Sequence, residues 1–260
     1  MENAGDIGWV GLALSTILVV ITILLSAWRR LGLTREIVVA CVRAAAQLTL
    51  VGLALRLVID DDDPLILSWI WLLGMVAFAA QSTQNRVGGR LRIRTLAAGA
   101  YFASTAVSVA VLFGLDVFPL QGRALVPLAG MMIGNALGAV VLVTKRLLAE
   151  VDEHADEIEA RLALGLDSRD AFAPHARRAL QQALIPQIER TKSVGIVFLP
   201  GAMVGLVLAG VDAQDAVLVQ AAVMFLVLGS VAITSTVMTL GVSRALFTPD
   251  HRLRESPVEV

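Results

Sequence analysis

The chain has 260 residues and a formal net charge of −1, with 57% apolar and only 17% charged residues. Soluble domains usually carry about 25% charged residues, so this composition indicates a membrane protein and argues against a water-soluble enzyme. The 21 basic and 22 acidic side chains nearly cancel, which argues against a nucleic-acid partner. The single Cys41 excludes a disulfide within the chain, and His154, His175 and His251 do not have the spacing of a zinc motif. We therefore expect no metal site built from Cys and His.

Seven apolar stretches are long enough to cross a bilayer as helices, which takes about 20 residues each. They cover residues 7–28, 37–59, 65–84, 96–115, 125–143, 194–211 and 216–240. The residues before the first stretch include two acids and no Lys or Arg, so we expect a retained span and not a signal peptide. The predicted fold class is all-α: a polytopic membrane protein forming a single transmembrane domain over residues 1–260.

The positions of Lys and Arg predict the orientation, because short cytoplasmic loops are enriched in them. Of the 21 basic residues, 18 fall in one alternate set of loops and in the C-terminal tail. The acidic run at 60–63 lies on the other side, next to Arg56, which we expect to be a snorkelling anchor. The N-terminus is therefore predicted to lie outside the plasma or inner membrane, and the C-terminus inside the cell.

The second span carries Arg43 and Gln47, which are four residues apart and so share one helical face. A charge at that depth costs at least a few kcal/mol on insertion scales, so this face should meet protein or a water-filled cavity. Two interpretations remain open. Arg43 is either a pathway or gating residue, or it belongs to a structural ion pair or snorkels toward the basic rim.

The fifth and sixth spans each contain small residues at four-residue intervals. In the fifth span they occur in the run PLAGMMIGNALG from Pro127, and in the sixth in LPGAMVGLVLAG from Leu199. Such faces allow another helix to approach closely. The predicted helix-packing residues are Gly130, Gly134, Gly138, Gly201 and Gly205.

Polar and thioether side chains within the spans are the candidates for a transport pathway. Lipid cannot satisfy the amide of Asn135, which should bond across helices or to a substrate. Thioethers suit copper(I), but methionine also fills gaps between helices, and packing is the favoured role. The predicted pathway residues are Arg43, Gln47, Asn135, Met131, Met203 and Gln220. No metal ligand set is identified among them.

Residues 145–193 form the only long segment between spans, and we expect it to be cytoplasmic. Apolar residues recur at helical spacing after Lys145, so the fifth span should continue as an amphipathic helix. Asp167 or Ser168 can cap a following short helix, and Pro174 and Pro186 are expected to divide the remainder. The predicted order is helix, turn, short helix, helix.

This segment contains the run EARLALG from Glu159, followed by Phe172 and Leu184-Ile185-Pro186. The pattern resembles the EAA loop of ATP-binding-cassette (ABC) permeases, which forms the coupling helix that docks on the ATPase subunit. It implies the coupling residues Glu159, Ala160, Gly165, Asp167 and Phe172. The chain has only two lysines and neither lies in a P-loop, so ATP hydrolysis is expected in a separate polypeptide.

Five runs along the chain form one pattern: RAAAQLTLVG from Arg43, PLAGMMIGNALG from Pro127, EARLALG from Glu159, RALQQALIPQIERTKSVG from Arg178 and LPGAMVGLVLAGVDAQDAVLVQ from Leu199. In order and spacing these runs resemble the FetB/YbbM-type permease family. That family is associated with iron export, and similar plant proteins with aluminium tolerance. The resemblance implies a metal-exporting permease homodimer and a separate ABC ATPase. ATP and Mg²⁺ would bind to the ATPase, with no cofactor in this chain.

The chain departs from the family pattern in the sixth span. The family usually has Gly-Met-Met followed by Ser or Thr and Gly, where this chain has Gly201-Ala202-Met203-Val204-Gly205. The difference removes one thioether and one hydroxyl from this stretch.

Two other functions remain open from the residues alone. A secondary carrier would need no ATPase, but such carriers commonly use intramembrane Asp or Glu, and the predicted spans contain none. A membrane sensor or scaffold that transports nothing is the other alternative. An intramembrane enzyme is disfavoured, because no nucleophile and base pair or H-E-x-x-H motif is found.

Overall fold

The computed structural model describes residues 9–55, 65–89, 91–196, 199–254 and 258–259. Its elements are α1 (Trp9–Trp28), α2 (Thr34–Leu55), α3 (Leu65–Val87), β1 (Leu91–Arg92), α4 (Arg94–Gly114), α5 (Gly122–Glu153), α6 (Ala155–Ala163), α7 (Ser168–Ser193), α8 (Gly201–Leu208), α9 (Ala213–Ala245) and β2 (Val258–Glu259). Within these ranges, α2, α3, α4, α5 and α9 contain stretches long and apolar enough to cross a membrane. An all-α polytopic membrane protein is therefore confirmed, whereas the count of seven spans and the orientation stay predictions. Arg56 and the acidic run at 60–63 lie outside the described residues.

The predicted sixth span, residues 194–211, differs most from its expectation. The helix in this region, α8, has only eight residues, about 12 Å against the roughly 30 Å of a bilayer core. Residues 194–196 and 199–200 are not helical, and Gly195 has a φ of 88°. Pro200 precedes the first turn of α8 in an extended conformation. Apolar composition was a poor guide here, because glycine and proline allow the backbone to leave the helix.

The segment after the fifth span is also built differently from its prediction. α5 runs for 32 residues, so the expected continuation beyond residue 143 is confirmed. α6 begins directly after His154, and α7 is a single helix that passes through Pro174 and Pro186. The expected division at these prolines is therefore wrong. Packing against α5 and α9 stabilises α7 against the loss of two backbone hydrogen bonds.

The core lies where α3, α4, α5, α7 and α9 pack together. Several of its buried hydroxyls form hydrogen bonds within the bundle. The hydroxyl oxygens of Thr83 and Tyr101 lie 2.9 Å apart and join α3 to α4, and Ser104 donates to the carbonyl of Ser230 on α9 at 3.0 Å. Thr234 also donates to that carbonyl, at 2.7 Å. The polar side chains buried on α9 are Gln220, Ser230, Thr234, Ser235 and Thr239.

The connection between α3 and α4 is held by Gln84. Its Nε2 donates to the carbonyls of Gly88 and Leu91 at 3.0 and 2.9 Å, and its Oε1 accepts from the amide of Ile93 at 2.7 Å. β1 in this connection pairs in parallel with β2 of the C-terminal tail, with Leu91 opposite Val258. The α3–α4 connection and the tail that follows α9 therefore meet at one end of the bundle.

The α1 and α2 helices stand apart from this bundle. α2 contacts α1, and none of the residues in its apolar stretch is buried. Arg43 and Gln47 are consequently exposed in the single chain.

The helices α4 and α9 approach each other closely at Gly241. A Cβ atom added there would collide with the side chain of Leu96. We expect Gly241→Ala to lower the free energy of unfolding by about 1–3 kcal/mol, because Leu96 must leave its position. Thermal unfolding of the detergent-solubilised protein measures the effect. Gly229→Ala on the same helix is the control, since its Cβ would meet nothing within 4 Å. Equal destabilisation by both substitutions would contradict the prediction.

Candidate functional site

Four of the predicted coupling residues lie on α6 or on its connection to α7. α6 ends at Ala163, and Gly165 then adopts a φ of 90°, a left-handed conformation that favours glycine at the end of a helix. The carboxylate of Asp167 accepts a hydrogen bond from the amide of Asp170 at 2.8 Å, so the predicted cap of α7 is confirmed. The connection is thus a tight, defined turn.

This turn presents apolar side chains to solvent. Residues 163–166, the coupling tip, are all exposed. Leu164 is 81% exposed and Leu166 is 39% exposed. Glu159 and Ala160 on α6 are exposed as well. Exposed apolar side chains rimmed by charged ones are typical of a protein contact surface.

Phe172 lies inside the bundle, unlike the other predicted coupling residues. Its side chain is only 1% exposed. The ring stacks on His175 with the centroids 5.7 Å apart, and meets the ring of Phe247 edge-on at 5.7 Å. Phe172 therefore packs the first turns of α7 against the bundle, and its ring is not accessible on the surface of the single chain.

Two histidines and a glutamate meet beside Phe172. Glu150 and His154 are four residues apart at the end of α5, and α7 brings His175 against them. The Oε2 atom of Glu150 lies 2.8 Å from Nδ1 of His175 and 3.6 Å from Nδ1 of His154. The structure thus brings together two histidines that are far apart in the sequence, and the expectation of no Cys and His metal site stays a prediction. The spacing of Glu150 and His154 was an available sign, but the third member comes from another helix.

Charged side chains surround this cluster. Glu157 on α6 places its Oε1 atom 3.9 Å from Nε2 of His175, and is held by Arg161 at 2.9 Å. Arg178 on α7 lies 3.7 Å from Oε2 of Glu150. His175 is fully buried, whereas the side chain of His154 is 32% exposed and leaves the cluster open on one side.

The C-terminal end of α7 returns beside the middle of α5. Arg190 donates to Oδ1 of Asn135 at 3.4 Å, and Nδ2 of Asn135 donates to the carbonyl of Met131 at 2.7 Å. Asn135 lies about 20 Å along the helix axis from Gly122, at the centre of the predicted span 125–143. The segment 145–193 was predicted to be cytoplasmic, but its C-terminal end lies beside the middle of the predicted fifth span.

The predicted pathway residues are not gathered at one place in the single chain. Asn135 and Met131 are partly buried neighbours on α5, and Gln220 on α9 is buried. Met203 on α8 is partly exposed, and Arg43 and Gln47 on α2 are exposed. Their role in transport stays a prediction.

The predicted helix-packing glycines have open surroundings within one chain. A Cβ on Gly130 would make an ordinary contact with Met75 at 3.9 Å. No atom of the described residues would lie within 4 Å of a Cβ added at Gly134, Gly138, Gly201 or Gly205. Close packing of another helix on these faces stays a prediction.

A cavity of about 370 Å³ lies between the first half of α7 and the last part of α9. Phe172 and Leu180 form part of its wall, and Arg169 and Arg244 are also among its lining residues. None of the predicted pathway residues lines it.

Comparisons with known proteins match nearly the whole chain. The profile of a family described as "Uncharacterised protein family (UPF0014)" matches residues 9–247. The chain is 35% identical to the UPF0014 membrane protein STAR2 of Oryza sativa subsp. japonica, over 93% of this chain and 85% of that protein. It is 32% identical to the UPF0014 membrane protein YjkA of Bacillus subtilis (strain 168), over 95% and 99% of the two chains. It is 31% identical to the "Probable iron export permease protein FetB" of Escherichia coli (strain K12), over 96% of each chain. No solved structure gives a significant match.

Proposed function

This chain belongs to the UPF0014 family of membrane proteins, and we propose on that basis that it is the permease subunit of an ABC transporter that exports iron or another metal ion. The resemblance to FetB-type permeases that the five sequence runs indicated is confirmed at the family level. The cargo is inferred from the name of that one relative. ATP and Mg²⁺ would bind to a separate ATPase subunit.

The observation that carries this proposal is the exposed apolar coupling tip between α6 and α7. Leu164 is 81% exposed in a segment outside the apolar spans. A partner that covers this side chain would remove its apolar surface from water, which is favourable. A groove on an ABC ATPase subunit is a partner of the required kind, because the resemblance to the EAA loop covers the same residues. Gly165 has no side chain, so the ATPase backbone could approach the turn closely.

α7 provides a mechanical route from the tip into the membrane. It is one helix from Ser168 to Ser193, about 39 Å long, and runs antiparallel to α5. Movement of the tip by the ATPase would therefore be transmitted along α7 to Arg190 and Asn135. Shifts of whole packed helices are an established way in which ligand binding is coupled to a distant site.

A pathway between two copies of the chain accounts for the polar groups at that depth. Arg190 is exposed in the single chain, as are Gly134 and Gly138 on the neighbouring face of α5. Lipid tails cannot satisfy a guanidinium, so this face must meet water or protein. A homodimer that pairs these faces would place Arg190 and Asn135 along a central route for the ion.

Co-expression with an ABC ATPase subunit from the same genome tests the proposal. We expect the two chains to co-purify from detergent, and proteoliposomes that contain both to move iron only with ATP. The matched control carries a substitution of the P-loop lysine of the ATPase, which should leave assembly intact and abolish transport. Transport by this chain alone would instead indicate a secondary carrier, and failure of the two chains to associate would contradict the coupling assignment.

A further inference from the structure

We propose that Glu150, His154 and His175 bind a divalent transition-metal ion of the Zn²⁺ or Fe²⁺ type, at the end of the bundle that carries the coupling tip. This site is separate from the route proposed for the exported ion. Binding does not depend on the chain being a transporter.

The donor set has the chemistry and spacing that such an ion requires. Two imidazoles and one carboxylate form a ligand set common to zinc and to non-haem iron(II). One ligand atom from each of the three residues lies within 4.8 Å of the other two. Ligand bonds of about 2.1 Å in a tetrahedral site put neighbouring ligand atoms about 3.4 Å apart. The observed separations from Oε2 of Glu150, 2.8 and 3.6 Å, lie on either side of that value.

An unsatisfied ring nitrogen points into the same place. Nδ1 of His154 is buried and has no hydrogen-bond partner within the described ranges. Its 3.6 Å separation from Oε2 of Glu150 is too long for a hydrogen bond but suitable for two atoms that share one ion. Nδ1 of the fully buried His175 approaches the same oxygen. An ion between these three atoms would satisfy the His154 nitrogen, which has no hydrogen-bond partner among the described residues.

The groups around the ligands also suit a metal site. A histidine bound to a metal commonly donates its other ring N–H to a carboxylate, which fixes the orientation of the ring. Nε2 of His175 is buried and faces the carboxylate of Glu157 at 3.9 Å, so a small rotation of the ring would complete this bond. Arg178 competes for Glu150, but its side chain is 49% exposed and can turn to solvent when an ion binds. The 32% exposed His154 leaves a path for entry.

An ion at this position would join the end of α5 to α7 beside Phe172. If the proposed function holds, occupancy would change how movement of the coupling tip reaches the membrane. The site would then make transport respond to the metal content of its surroundings.

Metal binding to the purified full-length chain in detergent tests the site. We expect about one equivalent of Zn²⁺ per chain, and a Co²⁺ complex with the visible absorption bands of a low-coordinate site. His154→Ala and Glu150→Gln should each weaken Zn²⁺ binding at least tenfold, whereas Mg²⁺ should not compete. His251→Ala is the matched control, because that histidine contacts Ser168 and lies outside the cluster. It should keep the affinity of the unsubstituted chain.

Thermal unfolding gives a second readout, since an ion that binds only the folded chain raises its Tm. Zn²⁺ should raise the Tm of the unsubstituted chain and of His251→Ala, but not of His154→Ala. If Glu150→Gln fails to fold, His154→Gln takes its place. Equal Zn²⁺ affinity in all variants, or no binding by the folded chain, would overturn the proposal. Neither assay uses an ATPase or transport, so failure here is distinct from failure of the proposed function.

Discussion

Replacing Phe172 by alanine is expected to lower the free energy of unfolding by about 3–5 kcal/mol. The ring is 1% exposed and contacts the rings of His175 and Phe247, so its removal leaves a cavity where α7 meets the bundle. The expected consequence is a chain that unfolds at a markedly lower temperature in detergent. Thermal or denaturant unfolding followed by circular dichroism measures this loss.

Leu166→Ala is the control for Phe172→Ala, since Leu166 lies on the coupling tip and is 39% exposed. Its effect on unfolding should stay within about 0.5 kcal/mol. The pair also separates two roles for Phe172. If Phe172→Ala keeps its stability but no longer associates with the ATPase subunit, the ring is a docking contact. Its buried position argues against that outcome.

Introducing a charge at the coupling tip by Leu164→Asp should weaken association with the ATPase subunit at least tenfold and abolish ATP-driven transport. A side chain that is a hot spot at the centre of an interface costs about 2 kcal/mol or more when it is replaced, and a carboxylate there must also be desolvated. Because Leu164 is 81% exposed, the substitution should change the free energy of unfolding by no more than about 0.5 kcal/mol. Co-purification and transport by proteoliposomes measure the two effects.

Leu115→Asp provides a matched control for this charge. Leu115 is 72% exposed and lies after α4, on the side of the membrane predicted to be away from the ATPase. Association and transport should survive this substitution. A complex that remains intact with Leu164→Asp would remove the coupling tip from the ATPase contact.

Local sequence patterns predicted the helices well where an apolar run or a capping residue within one segment determines the helix. The apolar runs predicted the N-terminal ends of α3, α4, α5 and α9 to within a few residues. The Asp167 cap was also confirmed. The same rules did not place α8, where glycine and proline interrupt an apolar run, and expected breaks at Pro174 and Pro186 that α7 does not have. In α7 the contacts with α5 and α9 outweigh the local preference, and a single segment does not reveal those contacts.

The candidate sites were likewise predictable only in part from the sequence. The sequence indicated the region of the coupling tip, because the run from Glu159 carries both the acid and the glycine of the turn. It gave no indication that Phe172 is buried or that Leu164 is the exposed apolar side chain, since exposure depends on what packs above each residue.

By itself, the sequence determined the membrane class and the all-α composition, and it carried the family resemblance. These depend on properties summed along the chain: apolar content, helical periodicity and the order of short runs. Only the tertiary structure decided which distant side chains meet. His175 reaches Glu150 across 25 residues, and Arg190 reaches Asn135 across 55, because α7 folds back along α5. That packing turned histidines that formed no pattern in the sequence into a candidate metal site.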